Sequence, residues 1–269
     1  MAKQSRSKSR SVRKQGKGRS HSRAACDNDI VVDINDFTLR PDKERQRSCK
    51  HPLIEAINQS QGQYLSAIRT NQLVLGLGPA GTGKTFCAAA MAVEAFERRE
   101  IRRIIFTRPA IESGESLGFL PGKLADKLEP WFATFRSYLT DMLGRGVVEC
   151  ALKNGHIIFE PLAFMRGKTF DDAFVILDEA QNCTRQQLKM FLTRIGENSR
   201  VIINGDTQQT DIGGGSGLLD AANRLHGLDS VYIHEFGYAD IVRSELVRTI
   251  ISRYEDADPA GGRSCYRRS

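Results

Sequence analysis

Leu73-Val74-Leu75-Gly76-Leu77 and the eight residues after it, Gly78-Pro79-Ala80-Gly81-Thr82-Gly83-Lys84-Thr85, decide how the chain is read. An apolar run leads into a glycine-rich turn. A helix-forming run follows, Phe86-Cys87-Ala88-Ala89-Ala90-Met91-Ala92-Val93. Strand, loop, helix, with the spacing G-x-x-x-x-G-K-[ST], is the pattern of a phosphate-binding P-loop. The glycines let successive N–H groups turn inward onto phosphate, and the helix N-terminus adds partial positive charge. Lys84 has the reach for β- and γ-phosphates, and the Thr85 hydroxyl is a ligand for magnesium. Contacts to a nucleotide are expected along the whole stretch: Gly78, Pro79, Ala80, Gly81, Thr82, Gly83, Lys84, Thr85 and Phe86.

Outward from this loop, apolar strands alternate with helical patterns. Arg103–Thr107 reads as a buried strand running into Arg108-Pro109 and a long loop over 112–122. A loop of that length inside a domain is a functional signal. Lys123–Leu143 carries a helical stripe of Trp131, Phe132, Phe135, Tyr138, Leu139 and Met142. Val147–Leu152 and His156–Phe159 flank Lys153-Asn154-Gly155, and Asn-Gly predicts a β-hairpin there. Ala173–Leu177 is an apolar strand ending in Asp178-Glu179. A helix follows, with Thr184 and Gln187 at capping-box spacing. Arg200–Asn204 and Ser230–His234 are further strands, and Leu218–Leu225 and Ile241–Tyr254 further helices. Upstream of the P-loop, Pro52 is placed to start a helix carrying Leu53, Ile54, Ile57, Tyr64, Leu65 and Ile68, interrupted near Gly62. The alternation predicts an α/β fold with a mostly parallel sheet covered on both faces. In such sheets ligands sit beyond the carboxyl ends of the strands. The P-loop, Arg108, Asp178-Glu179 and Gly205-Asp206 all fall there.

Asp178 stands where a P-loop hydrolase holds magnesium through a carboxylate. Glu179 is placed to polarise an attacking water as general base. Gln209, in Gly205-Asp206-Thr207-Gln208-Gln209, offers a neutral amide for a γ-phosphate oxygen or that water. Arg108 and Arg243 are candidates for stabilising the transferring charge, against the alternative of surface ion pairs that contribute little.

The chain resembles the PhoH family, P-loop ATPases with a RecA-like core related to superfamily-one helicases. The stretches that carry the resemblance are GPAGTGKT (78–85), TRPAIESGESLGFLPGK (107–123), FMRGKTFDDAFVILDEAQNCT (164–184), MFLTRIGENSRVIINGDTQQTDI (190–212) and DIVRSELVRTIISRYE (240–255), within 52–255. The resemblance implies hydrolysis of ATP with Mg2+, association with RNA, and a homo-oligomeric, hexameric ring in which Arg243 could serve a neighbouring site. It also implies an adenine-reading role for Gln61, three residues before Tyr64, and a nucleotide-coupled role for Gln181. Some relatives carry an added nuclease domain, which this sequence does not lead one to expect. The second RecA-like domain of true helicases is not matched, so unwinding by a monomer is not expected either.

Composition sets the remaining bounds. Of the net charge of +7, residues 1–25 contribute +9 and the rest of the chain −2. Those residues are Ser-, Lys- and Arg-rich, which predicts a disordered basic tail. Nucleic acid attracted through counterion release is its functional reading, and a solvated tail the plainer one. Residues 26–51 read as a linker with a short strand candidate at Ile30-Val31-Val32, and 256–269 as a flexible end. No apolar run approaches a membrane span, and no apolar segment follows the basic start as in a signal peptide. The six cysteines (Cys26, Cys49, Cys87, Cys150, Cys183 and Cys265) form no CxxC pair. That favours a reducing cytoplasm. A zinc site on Cys49 and His51 would lack two ligands. Two other classes stay open: a phosphotransferase, and a nucleotide-gated binding or scaffold protein with little turnover.

Overall fold

A strand buried on both faces has to be apolar at every position, and β1 (Leu73–Leu77) is buried throughout. The computed structural model describes residues 54–109, 124–207 and 216–247, with 250 and 253. Around β1 stand β2 (Arg103–Arg108), β3 (Ile157–Pro161), β4 (Ala173–Leu177), β5 (Arg200–Gly205) and β6 (Val231–Glu235). They form one six-stranded sheet in the order β3-β2-β4-β5-β1-β6. Every neighbouring pair is parallel. The fold is therefore the α/β arrangement expected from the alternation, a parallel sheet with helices on both faces, with β5 inserted between the P-loop strand β1 and the acidic strand β4.

Side chains of successive strand residues point to opposite faces, so each strand feeds two cores. On one face Val74, Ile104, Phe106, Phe174, Ile176 and Ile202 meet α1 (Gln59–Thr70), α2 (Lys84–Glu97), α3 (Leu124–Leu143) and α4 (Arg145–Lys153). On the other, Leu75, Ile105, Val175, Leu177, Val201 and Ile203 meet α5 (Arg185–Leu192) and α6 (Gly217–Leu225). The registers Thr107↔Leu177, Leu177↔Ile203 and Leu77↔Gly205 bring the carboxyl ends of β2, β4, β5 and β1 to one level. The site is built on that shared edge.

The structure differs from the sequence expectations at three elements. The hairpin at 147–159 does not form: Val147–Leu152 lies in α4, and β3 pairs in parallel with β2. Asn154 and Gly155 close α4 instead. Gly155 N–H donates to Leu152 O at 3.2 Å and His156 N–H to Ala151 O at 2.8 Å, with Gly155 at φ 71°. That is a Schellman motif, and it asks for the same left-handed glycine that a primed hairpin turn asks for. Secondly, α1 starts at Gln59, because the Asn58 side chain accepts from Gln61 N–H at 2.8 Å; Gly62 does not interrupt it, and Ile57 is left 71% exposed. Pro52 and Leu53 lie outside the described residues. Thirdly, residues 241–244 are not helical; helical backbone appears at 245–247, after Ser244, whose hydroxyl accepts from Val247 N–H at 3.5 Å. The basic tail, the linker, the 112–122 loop, Gln209 and the end from 254 onward also lie outside the described residues.

Candidate nucleotide-binding site

The turn after β1 is shaped by close approach. Gly78 has φ 133°, and a Cβ there would lie 2.4 Å from Phe236 O, so only glycine fits. Phe236 is pinned by its own N–H donating to Leu77 O at 2.7 Å. Gly83, at φ 87°, is the N-cap of α2 and supplies no side-chain cap. The first N–H groups of α2, from Lys84, Thr85 and Phe86, are thus left for a ligand. The Phe86 ring packs edge-on against Tyr138 of α3, with centroids 5.2 Å apart.

Lys84 is folded back onto the loop. Its Nζ donates to Gly78 O and Pro79 O, both at 2.7 Å, and to Thr82 Oγ1 at 3.2 Å. Burial lowers its pKa, while Asp206, Asp178 and Glu179 pull it back up. These carbonyls stand in for phosphate oxygens as acceptors of a buried ammonium.

Gln61 secures the loop from below. Its Nε2 donates to Thr82 O at 3.0 Å and its Oε1 accepts from Ile57 N–H at 3.1 Å. Both halves of the amide therefore hold this chain's own backbone. Tyr64, fully buried, donates to Asn204 Oδ1 at 2.6 Å beneath Gly76. Neither Asn204 nor the support from Phe236 is marked by any motif, although both stand at strand ends, where a parallel sheet puts its working residues.

Across the loop stands β4. Thr85 Oγ1 donates to Asp178 Oδ1 at 2.9 Å. The Asp178 side chain is 5% exposed, and its Oδ2 accepts from Arg108 Nη2 at 2.6 Å and Nε at 3.2 Å. Glu179 takes the left-handed conformation, φ 56° and ψ 37°, uncommon for a residue with a side chain. This turn swings its carboxylate, 47% exposed, toward solvent at the sheet edge. Gln181 holds that carboxylate: Nε2 donates to Glu179 Oε2 at 2.7 Å, and Oε1 accepts from Asp206 N–H at 3.0 Å. One amide thereby ties the end of β4 to the end of β5.

Thr85 and Asp178 offer hard oxygen donors within 2.9 Å of each other. Among the described residues, no cluster of three or more His, Cys, Asp or Glu could hold a metal. The pair fits magnesium, which takes few protein ligands and completes its shell with phosphates and water.

Arg243 reaches the loop of its own chain. A Cβ on Gly81 would lie 3.2 Å from Arg243 Nε, and Val242 N–H donates to Gly81 O at 2.9 Å. Asn58 Nδ2 donates to Asp240 O at 3.3 Å, closing the segment onto the start of α1. Between them opens a cleft of about 490 Å³ lined by Ile57, Asn58, Ala239, Ile241, Val242, Arg243 and Ser244. The structure thus gathers Gln61, the P-loop, Arg108, Asp178, Glu179 and Arg243 at one edge.

No helix among the described residues is long and apolar enough to cross a membrane. The chain is 46% identical over 221 residues to a PhoH-like protein of Bacillus subtilis, covering 81% of this chain and 69% of that one. It is 45% identical over 215 residues to a PhoH-like protein of Mycobacterium leprae, and 46% over 205 to Protein PhoH of Escherichia coli. The matches cover 78% and 75% of this chain, and 62% and 58% of those relatives' length. Among solved structures, the Pif1 helicase from Candida albicans is 12% identical, with TM-score 0.41, over 76% of this chain and 44% of that one. That likeness is too remote to bear on individual residues. The profile of the PhoH-like protein family matches residues 53–255, and the chain belongs to that family.

Proposed function

We propose that this protein is a magnesium-dependent ATP hydrolase of the cytoplasm whose turnover acts on, or is gated by, nucleic acid, RNA in preference to DNA. The observation that carries the reading is the 2.9 Å bond from Thr85 Oγ1 to Asp178 Oδ1, with Glu179 next in the chain and held by Gln181. Bound magnesium would neutralise charge developing on the β- and γ-phosphates. Lys84 gives up its backbone acceptors for phosphate oxygens, and the first turn of α2 supplies N–H donors. Glu179 takes the proton of an attacking water, oriented by Gln181 and assisted by Gln209. The cleft beside Ile57 and Arg243 receives the base and ribose, with Gln61 supporting its floor. Arg243 neutralises charge on the nucleotide of its own chain.

The Asp178-Glu179 pair followed in sequence by Gln209 favours water as the acceptor over a substrate hydroxyl. Association with nucleic acid is proposed through the basic residues 1–25, and assembly into a hexameric ring from family membership. The test is phosphate release measured against a panel of RNA and DNA, with Lys84→Ala as the inactive control. Release stimulated more by RNA than by DNA supports the reading. Phosphate appearing only on an added acceptor would replace it with a kinase, and no turnover under any condition with a scaffold.

A further inference from the structure

Arg108 closes β2 and spends its guanidinium on two separate parts of the fold. Nη2 and Nε both reach Asp178 Oδ2, at 2.6 and 3.2 Å. Nη1 donates to Trp131 O of α3 at 3.0 Å. The guanidinium carbon lies 5.6 Å from the centre of the Phe106 ring, and the side chain is 23% exposed. Asp178 Oδ1 is meanwhile taken by Thr85. Both oxygens of the candidate metal-binding carboxylate are thus occupied, and its charge is already countered.

A divalent cation arriving at Thr85 and Asp178 meets a cation already there. Two positive groups on one buried carboxylate repel. We propose that Arg108 is a resident counter-cation of Asp178, displaced when magnesium and nucleotide bind together, and that its departure releases the carbonyl of Trp131 and so reports metal loading to α3. Arg108 is then a positioning residue, held on Asp178 and α3 before loading and released from both after it. The inference rests on the ATPase reading but concerns the order of charges within that site.

Trp131 is the sole tryptophan of the chain, and it packs partly buried against the first core. Intrinsic fluorescence therefore watches the residue that Arg108 holds. The experiment titrates the full chain with the β,γ-imido analogue of ATP, in Mg2+ and in EDTA, following tryptophan emission and, by calorimetry, affinity. Emission should change with analogue plus Mg2+ and stay unchanged with analogue in EDTA. In Arg108→Gln the Mg2+-specific change should vanish, and the factor by which Mg2+ tightens binding should rise about tenfold, because no charge-assisted bond is broken on loading. Arg108→Lys, which keeps the charge, should stay within about threefold of wild type in that factor. Emission that responds alike in Mg2+ and EDTA would overturn the exchange, as would an Mg2+ factor unchanged or lowered in Arg108→Gln. Wild-type protein that binds no nucleotide would contradict the ATPase reading itself, an outcome the calorimetry separates from the other two.

Discussion

At the scale of single residues, the site is held by contacts that leave little freedom. Gly78→Ala would put a methyl group 2.4 Å from Phe236 O at a φ of 133°. It should destabilise the fold by at least about 2 kcal/mol, read by denaturant unfolding, and abolish nucleotide binding. Tyr64→Phe tests the floor. The hydroxyl it removes is the partner of Asn204 Oδ1 at 2.6 Å, and Asn204 Nδ2 is already a buried donor with no partner among the described residues. Loss of that bond should cost about 1–3 kcal/mol in unfolding free energy. The glycines, Lys84, Thr85, Asp178 and Glu179 were legible from the sequence because their chemistry fixes both residue type and spacing. Asn204, Phe236 and the carbonyl of Trp131 were not. Each acts through a backbone group or a buried amide that many residue types in many contexts also provide.

Elements were legible where one pattern had one physical meaning. Five-residue apolar runs bounded by turns gave β1 and β4, and the Thr184–Gln187 capping box is present at the start of α5. They were not legible where two structures share a requirement. Asn154-Gly155 satisfies a hairpin turn and a helix C-cap equally, and only the packing of Val148 and Ala151 into the core decides for α4. The start of α1 turned on Asn58, whose side chain accepts from Gln61 N–H and caps the helix. The end of β6 carries a titration of its own. His234 is 5% exposed and packed among Tyr64, Tyr232 and Phe236, with Ser60 Oγ 2.9 Å from Nε2. Burial lowers its pKa below the ordinary 6.5, and Asp240 only partly opposes this. The neutral ring is thus favoured in the folded state, and the unfolded chain binds more protons just below pH 6.5. Stability from this group is complete above that pH and is lost as the pH falls through the lower folded value. In chemical unfolding from pH 7.5 down to 5, His234→Gln should show a shallower loss than wild type. Equal slopes would assign the loss to other groups.

For the whole molecule, one parallel sheet brings five separated stretches of sequence to a single edge, and the segment after β6 folds back over the P-loop. Arg243 lies against Gly81 of its own chain, and we propose that the site takes that cation in cis. Mixing Lys84→Ala with Arg243→Ala protein tests this. Neither variant has an intact site in cis, so the mixture should be no more active than the variants alone. Activity recovered on mixing would place Arg243 in a neighbour's site. The central claim, that this edge hydrolyses ATP, rests on Glu179 as the base beside Asp178. Glu179→Gln preserves the size of the side chain and an oxygen that can accept from Gln181. The most direct measurement is therefore ATP binding and phosphate release, side by side, in wild type and Glu179→Gln with Mg2+. The account predicts binding within a few-fold of wild type and a fall in kcat of about 10²–10⁴-fold. Hydrolysis in Glu179→Gln at the wild-type rate would contradict it.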